Sequence, residues 1–330
     1  MKEAHKILIL ILLSVCTSCT KKIQDTQTMV IDFSPSLTAT VAPVKAELYD
    51  SDNLINEDHK GNFSVAAYKS GTKDKYFLET ERVFYMYYPE DPAASKWRFY
   101  DSGSNSFYER YWPVTYSLDF LAYMPYDLAD SHVTINLDTQ EFSCNLPLDK
   151  ASQDSAHEFI YAFETGKSSD TDNGVVALQF RHPFSAISFT LGKAHGNTEI
   201  HNVGLTGICN IGTFSIADGT WSYSSITADM DIEVGKTVGI AGSNGIQLNS
   251  HIGGPYLIMP QQTDDISLTV SFTWNGERTD AVVSLGDGEW LPGYIYTYKL
   301  DLGDNQEDII TDVTVNPWNV IDYRNDIDVE

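Results

Sequence analysis

The sequence predicts an all-β protein built from two tandem β-sandwich domains. Three observations favour this fold class: short runs of alternating apolar and polar residues, turn signals at intervals of about ten residues, and an aromatic content of 12%. Alternation is typical of half-buried strands, and aromatic side chains favour strands over helices. At 330 residues the chain is long for one sandwich and sufficient for two.

The N-terminus predicts a signal peptide over residues 1–18. Lys2 and Lys6 flank the apolar run Ile7–Val15, which is too short to span a bilayer and typical of a signal-peptide core. The following Cys16-Thr17-Ser18-Cys19 resembles a bacterial lipobox, in which Cys19 carries the lipid and becomes the first mature residue. A multiply acylated cysteine anchors a protein firmly. An ordinary cleaved signal peptide is the alternative.

Residues 19–28 are polar and predict a lipidated tether. Residues 29–167 then form the first predicted sandwich, whose first strand candidate is Met29–Phe33. Further candidates are Phe63–Tyr68, Arg82–Tyr88, Trp97–Tyr100, Tyr111–Pro125, Val133–Leu137 and Glu158–Phe163. Clusters of Pro, Gly, Asp and Ser separate these runs, as turns require.

Residues 164–174 carry no apolar periodicity, so we expect the domain boundary there and the second sandwich over 175–330. Val175–Leu191 reads as two strands that open this sandwich. Its apolar residues change parity at His182-Pro183, where a break is expected because Pro cannot donate to a strand ladder. Later strand candidates are Thr198–Leu205, Thr213–Ile216, Trp221–Tyr223, Tyr256–Met259, Ile266–Trp274, Thr279–Leu285, Tyr294–Leu302 and Ile309–Trp318.

The charge balance argues against two kinds of partner, nucleic acid and anionic lipid. With 21 basic and 46 acidic residues the net charge is −25, which opposes binding to nucleic acid phosphates and electrostatic attraction to anionic lipid. The sequence contains no nucleophile elbow, P-loop, dinucleotide fingerprint or zinc-protease motif. It therefore predicts a protein without catalytic activity or cofactor.

A metal site is not expected either. Asp50–Asn53 begins like a calcium-binding loop, but Ile55 occupies the sixth position and Gly61 the twelfth, where Gly and Glu are required. His195 and His201 have near metal-like spacing without an acidic or cysteine partner in register, so we interpret them as structural. Cys144 and Cys209 are either free thiols or a disulfide pair.

Several segments resemble the fimbrillin superfamily, in particular its Mfa-like (fimbrillin-like) branch. The matching segments cover roughly residues 29–320 and occur in the family's order. They are Trp112-Pro113, Leu118–Pro125, Val176–Leu191 with Phe180-x-His182, Leu257–Gln261, Trp290–Gly293, Tyr294-x-Tyr296-x-Tyr298 and Val313-x-Val315-x-Pro317-Trp318. The resemblance implies two transthyretin-like, Greek-key sandwiches, export as a lipoprotein to the outer membrane or cell surface, and assembly with other subunits into type V pili.

The resemblance also implies how such subunits would assemble. The removable first strand would be the segment formed by Met29, Val30, Ile31, Asp32 and Phe33. Its loss would expose a sheet edge to which an extended segment of the next subunit could add as a strand. Family maturation often uses an Arg-directed protease that cuts just after this strand, but the first Arg of this chain is Arg82. Lys45 is the one basic residue in the following loop, so three alternatives are open: cleavage at Lys45, cleavage by another protease, or no cleavage.

Two further interpretations follow from these residues. Asp154-Ser155-Ala156 resembles an envelope O-glycosylation sequon, with Ser155 as the acceptor.

The leading functional hypothesis is a structural and adhesive pilus subunit that contacts a host or bacterial surface ligand. The alternative is a surface glycan-binding lipoprotein of a polysaccharide uptake system, with Trp97 and Trp221 as the sugar-binding side chains.

Overall fold

Twenty β-strands build the part of the chain that the computed structural model describes, namely residues 29–37, 54, 61–129, 131–149, 151–152, 158–238, 250–302 and 310–318. The first ten strands are β1 (Asp32–Leu37), β2 (Asn62–Lys69), β3 (Glu81–Met86), β4 (Lys96–Asp101), β5 (Ser106–Tyr108), β6 (Leu118–Met124), β7 (Val133–Asn136), β8 (Glu141–Asn145), β9 (Ile160–Lys167) and β10 (Val175–Phe180). The second ten are β11 (Ser185–Ala194), β12 (Glu199–Ile208), β13 (Ile211–Ser215), β14 (Thr220–Tyr223), β15 (Ala228–Thr237), β16 (His251–Ile258), β17 (Ser267–Trp274), β18 (Glu277–Ser284), β19 (Tyr294–Leu302) and β20 (Ile310–Pro317).

Helical structure is limited to short pieces in these ranges. A 3₁₀ turn covers Pro92–Ala94 and one helical turn, α1, covers Ser169–Asp172. None of the described helices has the length and apolar character needed to cross a bilayer. The predicted all-β fold class is confirmed.

The N-terminal half places a six-stranded antiparallel sheet, in the order β5-β4-β3-β2-β6-β9, against the parallel pair β1-β10. Alternate residues of these strands point into one cluster, which we call the first core. Its largest members are Phe33, Phe63, Phe77, Phe99, Phe120, Phe180, Trp97 and Trp112.

The C-terminal half forms a sandwich of two four-stranded sheets, β16-β11-β19-β20 and β15-β12-β17-β18. The chain changes sheet between β11 and β12, between β15 and β16, between β16 and β17, and between β18 and β19. The pair β11-β19 is parallel while the other pairs are antiparallel. This is the Greek-key arrangement that the family resemblance implies. The two inner faces enclose a second core that includes Phe189, Phe272, Trp290 and Tyr298.

A fifth sheet joins the two halves. The sheet β14-β13-β8-β7 combines β7 and β8 from the first half with β13 and β14 from the second, and Gly212 pairs with Cys144 at its centre. It packs over a third core, whose members include Tyr68, Phe142, Tyr161, Phe184 and Trp318. The two halves therefore share both a sheet and a hydrophobic cluster.

The break at His182-Pro183 is confirmed, since β10 ends at Phe180 and β11 begins at Ser185. However, β10 does not open the second sandwich as expected. It pairs with β1, and Val176, Leu178 and Phe180 lie in the first core. Alternation identifies the buried face of a strand but not the core that the face enters, which explains the difference.

Several predicted features lie outside the described residues. These are the signal peptide 1–18, the tether 19–28, the lipidation residue Cys19, the basic residue Lys45 and the glycosylation candidate Ser155. Lys45 belongs to the segment 38–53. The residues on either side of this segment, Leu37 and Leu54, both lie in the first core.

Candidate functional site

The first strand occupies a groove between β10 and the six-stranded sheet. Its regular part is Asp32–Leu37 and not the predicted Met29–Phe33, although Val30 already forms an isolated bridge with Tyr111. Ile31, Phe33 and Leu37 are 2%, 5% and 6% exposed, whereas Ser34 faces solvent. The period of two along the strand thus directs its apolar side chains into the first core.

Phe33 is the central side chain of this strand. Its ring contacts Phe63, Phe99 and Phe120 edge-on, with centroid distances of 5.5, 5.4 and 5.9 Å. Edge-to-face geometry is favourable for aromatic pairs, and full burial of one such side chain contributes about 2 kcal/mol. Phe33 therefore connects β1 to three strands of the opposing sheet.

Backbone hydrogen bonds hold both sides of the first strand. On one side it pairs in parallel with β10, from Asp32 opposite Val175 to Leu37 opposite Phe180. On the other side the Ile31 amide donates to the Arg110 carbonyl at 2.8 Å, and the Trp112 amide donates to the Met29 carbonyl at 2.9 Å. The Asp32 amide also donates to the Gly174 carbonyl at 2.9 Å.

Gly174 brings the chain close to the start of the first strand. It follows α1 with a φ of +80°, and a side chain there would lie 2.7 Å from Met29 Sδ and 3.2 Å from the Val30 carbonyl oxygen. Its carbonyl also accepts the indole N–H of Trp112 at 3.3 Å. A glycine fits this position because it tolerates a positive φ and leaves room for the neighbouring backbone.

Withdrawal of the first strand would leave an apolar groove. Val176, Leu178 and Phe180 on β10 are all 0% exposed and lie in the first core, where Phe180 contacts Phe63 with a centroid distance of 5.8 Å. The β10 edge would then present unpaired amide and carbonyl groups beside this apolar surface. Such an edge is a template for an added strand.

The first strand can be predicted from its apolar residues, but its pairing with β10 cannot. The strict exposed–buried alternation of Val175–Phe180 was visible as an apolar–polar pattern. Nothing in that pattern specifies a parallel neighbour more than a hundred residues earlier in the chain, because a parallel partner requires a long crossover.

Motifs that carry the family resemblance meet at structural joints. His182 and Trp318 stack with ring centroids 4.7 Å apart, and the Trp318 amide donates to the Gly293 carbonyl at 2.8 Å. The indole N–H of Trp290 donates to the Tyr298 hydroxyl at 2.8 Å, and the Leu291 amide donates to the Tyr296 hydroxyl at 2.7 Å. These residues fix the connections between strands of the second sandwich.

His182 also contacts the carboxylate of Glu158 through its Nδ1 atom. Both side chains are buried, at 2% and 1% exposure. Burial lowers the pKa of His182 to about 3, against a smaller opposing effect of a hydrogen bond with the Trp318 backbone. The pair lies where the chain passes from the first half to the second, and it contributes a specific polar contact within the third core region.

The structure contradicts the sugar-binding interpretation of Trp97 and Trp221. Trp97 is 5% exposed and packs against Phe63 in the first core. Trp221 is half-buried against Phe142, and its indole N–H donates to the Pro183 carbonyl at 3.0 Å. In both strands the polar residues next to the tryptophan point to the opposite face of the sheet. They therefore do not indicate whether the indole ring is exposed.

The remaining candidate side chains have structural contacts. His195 stacks on Trp274 at 4.1 Å, and His201 Nε2 lies 2.7 Å from Thr273 Oγ1. Among the described residues there is no group of three or more His, Cys, Asp or Glu side chains that could hold a metal ion. Of the two alternatives for the cysteines, the structure has free thiols at both Cys144 and Cys209.

Comparison with known proteins now identifies the family. The fimbrillin-like family model matches residues 94–318, which is well over half of the chain. No curated protein matches the sequence.

Solved structures share the fold at low sequence identity. A fimbrial protein from Bacteroides vulgatus has 13% identity and a TM-score of 0.55, with 88% of this chain and 99% of that chain covered. A putative cell adhesion protein from Bacteroides ovatus has 14% identity, a TM-score of 0.54 and coverages of 89% and 99%. One from Bacteroides uniformis has 16% identity, a TM-score of 0.50 and coverages of 88% and 99%. At these identities the likeness is one of fold. The match over residues 94–318 makes this chain a member of the fimbrillin-like family.

Proposed function

We propose that this protein is a subunit of a cell-surface fimbrium that is exported as a lipoprotein and joins its neighbours by strand exchange. The observation that carries the proposal is the seating of β1. It fills an apolar groove and completes the edge of β10, yet it lies at the N-terminal end of the described chain. Family membership supports the fimbrial role, and the lipobox at Cys19 supports the export route.

The position of Lys45 supports removal of the strand after export. A cut within residues 38–53 separates β1 from the rest of the chain, because Leu37 lies on one side and Leu54 on the other. After such a cut only non-covalent contacts retain the strand. An incoming segment of a neighbouring subunit then competes for the same groove and the same β10 edge.

The last described strand has features expected of a donor. β20 pairs with β19 at the margin of its sheet. Val313 and Val315 are 40% and 48% exposed, although β-branched residues favour burial in a sheet. In a neighbour's groove, alternate apolar side chains of such a segment would replace Phe33 and Leu37 of β1. Loss of exposed valine surface on insertion favours assembly.

A protease site inserted between Val44 and Lys45 tests strand exchange directly. The uncut mature chain is expected to remain monomeric. After cleavage and mild denaturant treatment that releases β1, the chain is expected to form concentration-dependent polymers in size-exclusion chromatography. The matched control carries the same site between Gly245 and Ile246, far from β1 in sequence, and its cleavage is expected to produce no polymer. A cleaved chain that loses β1 and stays monomeric contradicts the proposal.

Intact mass and N-terminal sequencing of protein isolated from its native envelope test export and maturation. Acylation of Cys19 in the precursor supports the lipoprotein route. A mature chain beginning near Ala46 without lipid supports removal of the strand and a stalk or tip position. A mature chain that retains acylated Cys19 supports a basal anchor. The lipoprotein route is contradicted if neither the precursor nor the mature chain is acylated at Cys19.

A further inference from the structure

A row of aromatic side chains lies on the outer face of the six-stranded sheet. Phe84 and Tyr100 have ring centroids 4.7 Å apart, and Tyr100 and Phe107 follow at 5.3 Å. The guanidinium carbon of Arg82 lies 5.5 Å from the Phe84 centroid and 3.0 Å from the Tyr126 centroid. We call Arg82, Phe84, Tyr100, Phe107 and Tyr126 the aromatic platform.

Strand alternation places this platform away from the first core. The intervening Val83 and Phe99 are 0% and 1% exposed and lie in that core, so Arg82, Phe84 and Tyr100 project from the opposite face. The register confirms the neighbourhood, since Arg82 pairs with Tyr100 and Tyr100 with Phe107.

The platform begins where the covering of the sheet ends. On β2 and β6 the same outer face is buried by the third core, through Ala66, Tyr68, Leu121 and Tyr123. On β3, β4 and β5 the hydrophobic clusters of the described residues do not extend over this face, and Phe107 is 40% exposed. A continuous row of exposed or half-exposed rings is unusual on a soluble domain and marks an interaction surface.

The platform carries a cation within a strongly acidic protein. The chain has a net charge of −25, whereas Arg82 forms no ion pair with any carboxylate of the described residues. Burial lowers the pKa of Arg82, and the nearby Tyr100 and Asp127 oppose this effect. A guanidinium held over two rings is preorganised to bind a planar carboxylate.

The backbone argues against an extended peptide as the ligand. Peptides that bind sheets add to an edge, where unpaired amide and carbonyl groups are available. Most of the platform lies on a sheet face, where β3 and β4 are paired on both sides, and β5 is the edge strand beside it. A pyranose ring needs no backbone partner, because the C–H face of the sugar packs on aromatic rings through apolar contact.

We propose that the aromatic platform binds a glycan containing an acidic sugar, with the sugar rings on Phe84, Tyr100 and Phe107 and the carboxylate at Arg82. This inference goes beyond assembly and does not depend on strand exchange. It also differs from the earlier interpretation of Trp97 and Trp221, which lie in or against the protein's cores.

Calorimetric titration of the full mature chain tests the proposal with two acidic probes, trigalacturonate and sialyllactose. The neutral counterparts are methyl-esterified trigalacturonate and lactose. At least one acidic probe is expected to bind saturably with a Kd of about 1 mM or lower, and its neutral counterpart about tenfold more weakly. Arg82→Gln is expected to lower the affinity for the acidic probe to that for the neutral probe. Arg82→Lys is expected to retain part of the difference in affinity between the two probes.

Phe107→Ala provides a second variant on an edge strand, where truncation leaves the cores intact. We expect it to weaken binding severalfold. Tyr111→Ala is the matched control, since Tyr111 is 42% exposed and lies outside the platform; its affinity is expected to be unchanged. Thermal unfolding of each variant verifies the fold.

Three results would overturn the proposal. The first is the absence of saturable binding by both acidic probes, and the second is equal binding of acidic and neutral forms. The third is protection of Tyr100 and Phe107 from hydroxyl radicals in assembled fimbriae, which would assign the platform to a contact between subunits. Failure of the cleavage experiment on β1 would leave the first two readouts unaffected.

Discussion

The imidazole ring of His182 lies flat on the indole ring of Trp318, with an interplanar angle of 14°. His182 lies in the connection between β10 and β11, while Trp318 directly follows β20. The contact therefore joins the beginning of the second sandwich to its end. Glu158 contacts His182 Nδ1 and lies just before β9, so this contact also connects the first half of the protein to His182.

A double-mutant cycle on His182 and Trp318 measures the coupling energy between the two side chains. Trp318→Ala is expected to lower the free energy of unfolding by about 3–5 kcal/mol, because it removes a large buried side chain. With His182→Ala the coupling is expected to be about 1 kcal/mol, since the two rings contact each other. Urea unfolding followed by tryptophan fluorescence and circular dichroism provides the measurement.

The half-buried pair His195 and Trp274 is the matched control, because it stacks at 4.1 Å and 16°. Its coupling is expected to be smaller, since solvent already reaches both rings. Additive effects of the His182 and Trp318 substitutions, within about 0.3 kcal/mol, would contradict the role assigned to their contact.

Most strands could be predicted from alternation, but β5, β8 and β15 could not. β5 has only three residues. In β15 the buried Met230 and Ile232 alternate with acidic residues. Acidic residues are depleted in strands, yet here they occupy the solvent face of a half-buried strand. β8 was missed for a different reason, because it is only five residues long and its partner β13 comes from the other half.

The candidate site shows the same limit. The apolar residues of the first strand were recognised, whereas its parallel partner β10 was assigned to the wrong half. Pairing between Asp32 and Val175 depends on the tertiary path of the chain. The aromatic platform was likewise invisible, because Phe84, Tyr100 and Phe107 come from three strands whose register only the folded sheet defines.

The two thiols are expected to differ in reactivity. Burial raises the pKa of Cys144 to about 12, so its reactive thiolate is scarce at neutral pH. Cys209 is only half-buried. Brief treatment of the native protein with iodoacetamide at pH 8 is expected to label Cys209 first, and Cys144 only after unfolding. Equal labelling of both native thiols, measured by peptide mass spectrometry, would contradict this difference.

Asp119 connects two turns of the first half. Its carboxylate accepts hydrogen bonds from the Ser70 hydroxyl at 2.6 Å, the Gly71 amide at 2.9 Å and the Gly166 amide at 2.7 Å. Asp119→Ala leaves these donors without their acceptor in a buried place and is expected to destabilise the protein by about 3 kcal/mol. Amide hydrogen exchange should accelerate at Gly71 and Gly166.

Asp127 is the control for this carboxylate, because it is exposed and accepts one amide hydrogen bond, from Ala129 at 3.1 Å. Asp127→Ala is expected to change the free energy of unfolding by less than about 1 kcal/mol. Unchanged exchange at Gly71 and Gly166 in the Asp119 variant would show that these amides have another partner.

Gly174 provides the sharpest test of how the first strand is seated. Gly174→Ala introduces a methyl group 2.7 Å from Met29 Sδ, at a φ of +80°. Gly276 has the same φ of +80° but no atom within 4 Å of the added carbon. Backbone strain is therefore equal in the two variants, about 1 kcal/mol, whereas only Gly174→Ala presses on the start of β1. We expect faster amide exchange at Ile31 and Asp32 and faster release of β1 after cleavage between residues 44 and 45. Gly276→Ala is expected to lose stability without either effect. If the two variants release β1 at the same rate, the close approach at Gly174 does not control the seating of the strand.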